Sequence, residues 1–168
     1  NLDLARHFDQ VIAGFKPPPD EQDRPALTAQ EAVPLLKERF EAFFKREIRV
    51  VVVEHMASNA SANADEIKLK RTARFSARDL RLIEYHEGHV HVATALNGRV
   101  QPLVPFIGFP SPRTTSTQEG LAVLTEFLTR STSLERLRRL SDRTLAIQMA
   151  EDGADFLQLY RLFLSHGH

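Results

Sequence analysis

His86-Glu87-Gly88-His89-Val90-His91 packs three imidazoles and a carboxylate into six residues. The course of its backbone decides what the rest of the chain is built around. The stretch sits inside an apolar pattern, Leu80, Ile83, Val90 and Leu96, that reads as a helix. The helix starts at Ser76, three residues before Asp79 as in a capping box, and ends at Asn97-Gly98. A single His on such a helix is better read as part of a polar face, but three beside a Glu point to metal. Zinc takes neutral imidazoles and carboxylates at about 2 Å and keeps one position open in a catalytic site. The H-E-x-x-H helix of zinc peptidases converges its two His through a four-residue step. Here the outer pair, His86 and His91, is five apart, and at about 100° per residue a regular helix turns the second away by roughly 140°. A one-residue π-bulge restores convergence, and such bulges concentrate at functional sites. Gly88, costly in a plain helix, suits an irregular turn or the close approach of another segment. His86 and His89 converge without any bulge, so spacing alone leaves His89 and His91 as competitors.

Two His do not close a zinc site, and the next helix, starting near Thr117, offers Glu119 within Thr117-Gln118-Glu119-Gly120-Leu121-Ala122. Ser116 stands three residues earlier, so Glu119 reads equally well as the partner in a capping box.

Working outward, residues 1–15 read as an amphipathic helix that Pro17-Pro18-Pro19 breaks. Thr28 and Glu31 have capping-box spacing, and the helix they start runs through Leu36, Phe40 and Phe44, with Pro34 distorting its first turn. Val50 to Val53 is a β-branched run suited to a buried strand. Met56 to Ala64 is small and polar and reads as a loop, whereas Ile67-Lys68-Leu69-Lys70 alternates as a half-exposed, free-edged strand. After a Pro- and Gly-containing loop and the Glu119 helix, one long helix is expected from Leu134 to Leu164. The expected class is α+β, mostly helical with a small β-sheet.

Composition narrows the function classes. The chain has 168 residues, 42% of them hydrophobic, enough for one domain with its own core. Lys+Arg and Asp+Glu balance at 22 each, which argues against a nucleic-acid binder. No Cys is present, so a metal must rest on His and carboxylates. No apolar run approaches the roughly 18 residues of a membrane span. A chain opening on Asn1 without a secretory signal is expected to be trimmed and cytoplasmic.

His86-Glu87-x-x-x-His91 followed by Thr115-Ser116-Thr117-Gln118-Glu119-Gly120-Leu121-Ala122 resembles the zinc peptidase family of the microtubule-associated tyrosine carboxypeptidases, whose bacterial members carry a QEGLA motif. The likeness runs from about Arg49, through Ala73-Arg74-Phe75-Ser76 and Leu96-Asn97-Gly98, to Ala150-Glu151-Asp152-Gly153-Ala154-Asp155. It implies a zincin-like, gluzincin-type catalytic core holding one Zn2+ on His86, His91 and Glu119, with Glu87 as general base. It also implies that residues 1–168 are a single domain cut from a longer catalytic domain, with a helical part at 1–46 and the metal-binding core at 47–168. His89 is left to the surroundings of the metal or to solvent. Glu151, Asp152 or Asp155 is a candidate to accept a hydrogen bond from a metal-bound His. Tyr85 and Tyr160 are candidate oxyanion donors, with core packing the better reading for each.

The expected activity is zinc-dependent peptide hydrolysis at a peptide or protein C-terminus. The substrate would add to the free edge of the Ile67–Lys70 strand, with Arg74 or Arg113, or the nearby Arg71, holding its carboxylate. Two rival readings are a regulatory or binding protein with a structural metal, and a zinc hydrolase of non-peptide amides or esters. Glu87 favours an enzyme, because a structural site has no use for a carboxylate beside its ligand.

Overall fold

The structure, a computed structural model, describes residues 2–15 and 20–167, so the expected Pro17–Pro19 connector lies outside the described residues. The fold is α+β and mostly helical, and it separates into two compact units. None of the described helices is long and apolar enough to cross a membrane.

Asp20–Thr132 form the first unit. Helix α2 (Ala29–Phe44) starts where expected: Glu31 N–H donates to the Thr28 hydroxyl, and the Glu31 carboxylate accepts from the Thr28 N–H at 2.8 Å. The helix runs unbroken through Pro34 and buries Ala29, Ala32, Leu36 and Phe40. Strands β2 (Arg49–Val53), β3 (Ala60–Asn63) and β4 (Glu66–Lys70) form a sheet in the order β2-β4-β3. Strand β4 is parallel to β2, with Val50 beside Ile67, and antiparallel to β3, with Ala62 beside Ile67. The alternation read in the sequence holds, since Ile67 and Leu69 are fully buried while the lysines are not. The edge assignment does not hold. Strand β3 forms from residues expected to be a loop and covers the side of β4 away from β2, so β2 and β3 are the edge strands and β4 is the central one. Its Ala-Ser-Ala-Asn sequence lacks the β-branched and apolar signal that marks a strand, and its pairing with β4 supplies the stability instead. A smaller pair joins β1 (Leu27–Thr28) to β5 (Arg74–Phe75).

Helix α3 (Ala77–Leu82) opens on the expected Ser76–Asp79 capping box and passes into a π-helical segment, Ile83–Val92, and then into α4 (Ala93–Arg99). Gly98 lies inside this helix rather than ending it. A Cβ there would fall 2.0 Å from the Gly108 Cα, so the glycine allows the turn Pro105–Gly108 to lie directly on α4. Helix α5 (Pro112–Leu128) begins earlier than expected, with Ser111 as its cap. Phe40, Ile48, Ile67, Leu69, Leu80 and Val92 centre the core between α2, the sheet and the α3–π–α4 helix.

The second unit comprises Asn1–Pro19 and Ser133–His168. Helix α1 (Leu2–Ala13) matches the expected amphipathic helix, and α6 (Leu134–Glu151) donates to it from Arg138 to the Ile12 carbonyl at 3.2 Å. The single long helix expected over 134–164 is two. Gly153, at φ +95°, terminates α6, and Asp155 caps α7 (Phe156–Ser165) reciprocally with Gln158.

Candidate metal centre

The π segment solves the five-residue spacing. Its i→i+5 hydrogen bonding lays residue 91 over residue 86, and the His86 and His91 rings stand 5.0 Å apart between centroids. Gly88 between them has no room for a side chain, because a Cβ there would sit 2.2 Å from Cε1 of Phe40 on α2. Of the alternatives left by the sequence, close approach of another segment is the one observed, and it coincides with the irregular turn.

Helix α5 faces this segment with Glu119, Ala122 and Glu126, spaced i, i+3 and i+7 on one side of the helix. Ala122 is fully buried and is small enough for the two helices to approach closely. Glu119 Oε2 lies 3.7 Å from His86 Nε2, and its Oε1 lies 3.5 Å from His91 Nε2. One ligand atom from each of the three residues falls within 4.8 Å of the others. Tetrahedral ligands about 2.0–2.2 Å from zinc stand about 3.3–3.6 Å from one another. Two imidazole nitrogens and a carboxylate at these separations fit one such ion, and the donor types are those zinc accepts. Because α5 starts at Pro112, Glu119 sits two turns inside the helix and cannot cap it, which removes the capping reading.

Behind the triad, Glu126 is fully buried and its Oε1 lies 2.6 Å from His86 Nδ1. With Glu126 ionised it accepts from Nδ1–H, which leaves the Nε2 lone pair facing the same space as Glu119. Such a partner fixes the tautomer and ring direction of a metal-binding His. Sequence reading missed Glu126 and offered Glu151, Asp152 and Asp155. Glu151 and Asp152 are exposed at the end of α6, where Asp152 accepts from Gln148, and Asp155 is the α7 cap. The available signal was that Glu126 follows Glu119 by two helical turns. Glu126→Gln is expected to weaken zinc binding about 10–100-fold, measured by chelator competition; unchanged affinity would remove Glu126 from that role.

Glu87 opens on the same cavity of about 460 Å³ as His86, His91 and Glu119. Its Oε2 accepts from the Ala62 N–H of β3 at 2.8 Å. Burial raises its pKa, opposed by the nearby His86 and His91 and by the Ala62 hydrogen bond, while Glu119 adds to the rise. The cavity wall opposite the helix is β3, at the sheet edge.

Other expected residues fall elsewhere. His89 stacks on Phe43 at 3.7 Å between centroids and meets Tyr85 edge-on, with Nε2 buried and without a hydrogen-bond partner. Burial lowers its pKa, so it is held neutral as an aromatic packing group rather than placed beside the metal triad. Tyr85 has that packing role too, and Tyr160 is exposed, stacked on Phe156. Arg74 spends its guanidinium on the Pro25 and Ala26 carbonyls, and Arg71 pairs with Glu54. Arg113 is exposed and outside the cavity lining, where Arg99 is found instead.

A carboxylate and two imidazoles converge in a cavity that has a second carboxylate on its wall. The chain belongs to the family described as microtubule-associated tyrosine carboxypeptidase, whose model matches residues 1–168. The family describes a peptidase, which places the chain among carboxypeptidase-type hydrolases. No curated protein and no solved structure gives a significant match.

Proposed function

We propose that the chain is a zinc-dependent carboxypeptidase with a gluzincin-type core, removing the last residue of a peptide or protein. The observation that carries this reading is the convergence of His86 Nε2, His91 Nε2 and Glu119 at zinc-like separations, with Glu87 opening on the same cavity. When bound, zinc supplies Lewis acidity that brings the pKa of a water near neutrality and polarises a carbonyl. Glu87 takes the proton of the attacking water and delivers it to the leaving amine. Its burial raises its pKa, which favours taking up the proton, and the Ala62 N–H fixes its direction. Glu126 holds the His86 ring in place from behind.

The edge strand β3 supplies the docking line. A peptide lying antiparallel or parallel to β3 on its side away from β4 would exchange main-chain hydrogen bonds and need no particular sequence there. Phe109 and Pro110, which also line the cavity, offer apolar surface to an aromatic terminal side chain such as the tyrosine in the family's description.

The test is metal content after purification without added metal, together with release of the C-terminal residue from a free-acid peptide. One zinc per wild-type chain is expected, and much less than one in Glu119→Gln. A full complement of zinc in that variant, or wild-type protein that carries no zinc and binds none, would overturn the ligand set.

A further inference from the structure

With Glu119 spent on the metal, Glu87 is the cavity carboxylate left facing an incoming peptide carboxylate, and a cation on the cavity wall is needed to hold that carboxylate at a fixed place. Arg99 is the cavity-lining residue, among those described, that carries a permanent positive charge. His91, Ala95 and Arg99 follow one another at four-residue steps, so they share one side of the helix. Helical side chains lean toward the N-terminus, which brings the Arg99 side chain back over Ala95 in the direction of His91. Ala95 lines the cavity with only a methyl group, leaving that path open.

The guanidinium is also oriented. Asp65, in the turn joining β3 to β4, lies 3.1 Å from its Nη1. This single pairing leaves the rest of the fork without another carboxylate among the described residues. An Arg fork held on one side by a protein carboxylate can still accept a ligand carboxylate on the other.

Resting on the carboxypeptidase reading, we propose that Arg99, aimed by Asp65 and facing the cavity across Ala95, is the anchor for the free C-terminal carboxylate of the substrate. It restricts cleavage to the last peptide bond. A substrate amidated at its C-terminus loses the charge that this anchor binds.

The experiment compares one labelled hexapeptide ending in tyrosine as its free acid and as its carboxamide. Release of the last residue is followed with wild-type protein. Binding is followed by fluorescence anisotropy in a Glu87→Gln background, which needs no turnover. The free acid is expected to be preferred in both assays. Arg99→Ala should cut the acid-to-amide ratio about ten- to a hundredfold, through KM and Kd rather than kcat. Arg99→Lys, which restores charge without the planar fork, should recover part of it. Arg99 is about half exposed at the end of α4, so the variants are expected to fold, and Arg99→Gln repeats the measurement with a side chain of similar reach.

Acid preference that survives Arg99→Ala and Arg99→Gln would overturn the anchor, as would equal treatment of acid and amide, or no binding of either, by protein with Arg99 intact. Arg99-dependent binding of the acid without release of any residue would keep the anchor and overturn the hydrolase reading.

Discussion

Glu87→Gln is expected to retain one zinc per chain and to hydrolyse a free-acid peptide about 10²–10⁴-fold more slowly than wild type. The substitution keeps the shape of the side chain, and its amide oxygen still accepts from the Ala62 N–H, so the wall formed by β3 stays in place. What it removes is the only atom pair at that position able to take a proton. Burial sets the carboxyl's pKa upward against the opposing pull of His86 and His91, and a raised pKa makes Glu87 a better proton acceptor than an exposed glutamate. Metal analysis and a turnover assay on the same preparation separate the outcomes. Zinc lost together with activity would make Glu87 a ligand, whereas undiminished hydrolysis would take it out of the mechanism.

The site was legible in the sequence to the extent that its residues are local. Three His within six residues expose their own spacing problem, and a π turn is a short answer to a five-residue step. The structure uses a longer π segment than a single bulge, Ile83–Val92, with Gly88 near its middle lying against Phe40. Glu126 was not legible, since it lies 40 residues beyond His86 and an isolated Glu on a helix usually faces solvent. Only with Glu119 already placed does the seven-residue interval put it on the same side. The edge strand was missed for a different reason. Ala60-Ser61-Ala62-Asn63 offers only the methyl groups of Ala60 and Ala62 to the core, a weak strand signal, and its pairing with β4 is a tertiary effect that local composition does not carry. That miss placed the free edge on β4, where the structure has β3, which lines the cavity. The cation on the cavity wall was not legible either. Arg74 and Arg113 are near the motifs in sequence, while Arg99 reaches the cavity through helical repeat from His91.

Phe40→Ala is expected to lower stability by about 3–5 kcal/mol, the usual cost of truncating a buried aromatic core residue, and to weaken zinc binding as well. Phe40 is fully buried in the core with Leu36, Ile67 and Leu80. Its ring edge also stands where a side chain at position 88 would be, with Cε1, Cδ1 and Cζ within 2.2–3.1 Å of an added Cβ. The same ring therefore joins the core to the backbone of the His86–His91 turn. Gly88→Ala tests that junction from the other side. In a free helix the change would gain roughly 0.5–1 kcal/mol from reduced backbone entropy, but overpacking against a core ring costs about 1–3 kcal/mol, so net destabilisation is expected. Because the two changes act on one contact, they should not add: the Phe40→Ala cavity accepts the methyl group that clashes in the single variant. Chemical denaturation of the wild type, both singles and the double gives the coupling directly, and zinc affinity of the same four proteins reports on the turn. Additive stabilities would show that Phe40 supports the core without shaping the His86–His91 turn. A double variant more stable than the sum of the singles, with partly recovered zinc affinity, is the result that the packing of Phe40 on Gly88 requires.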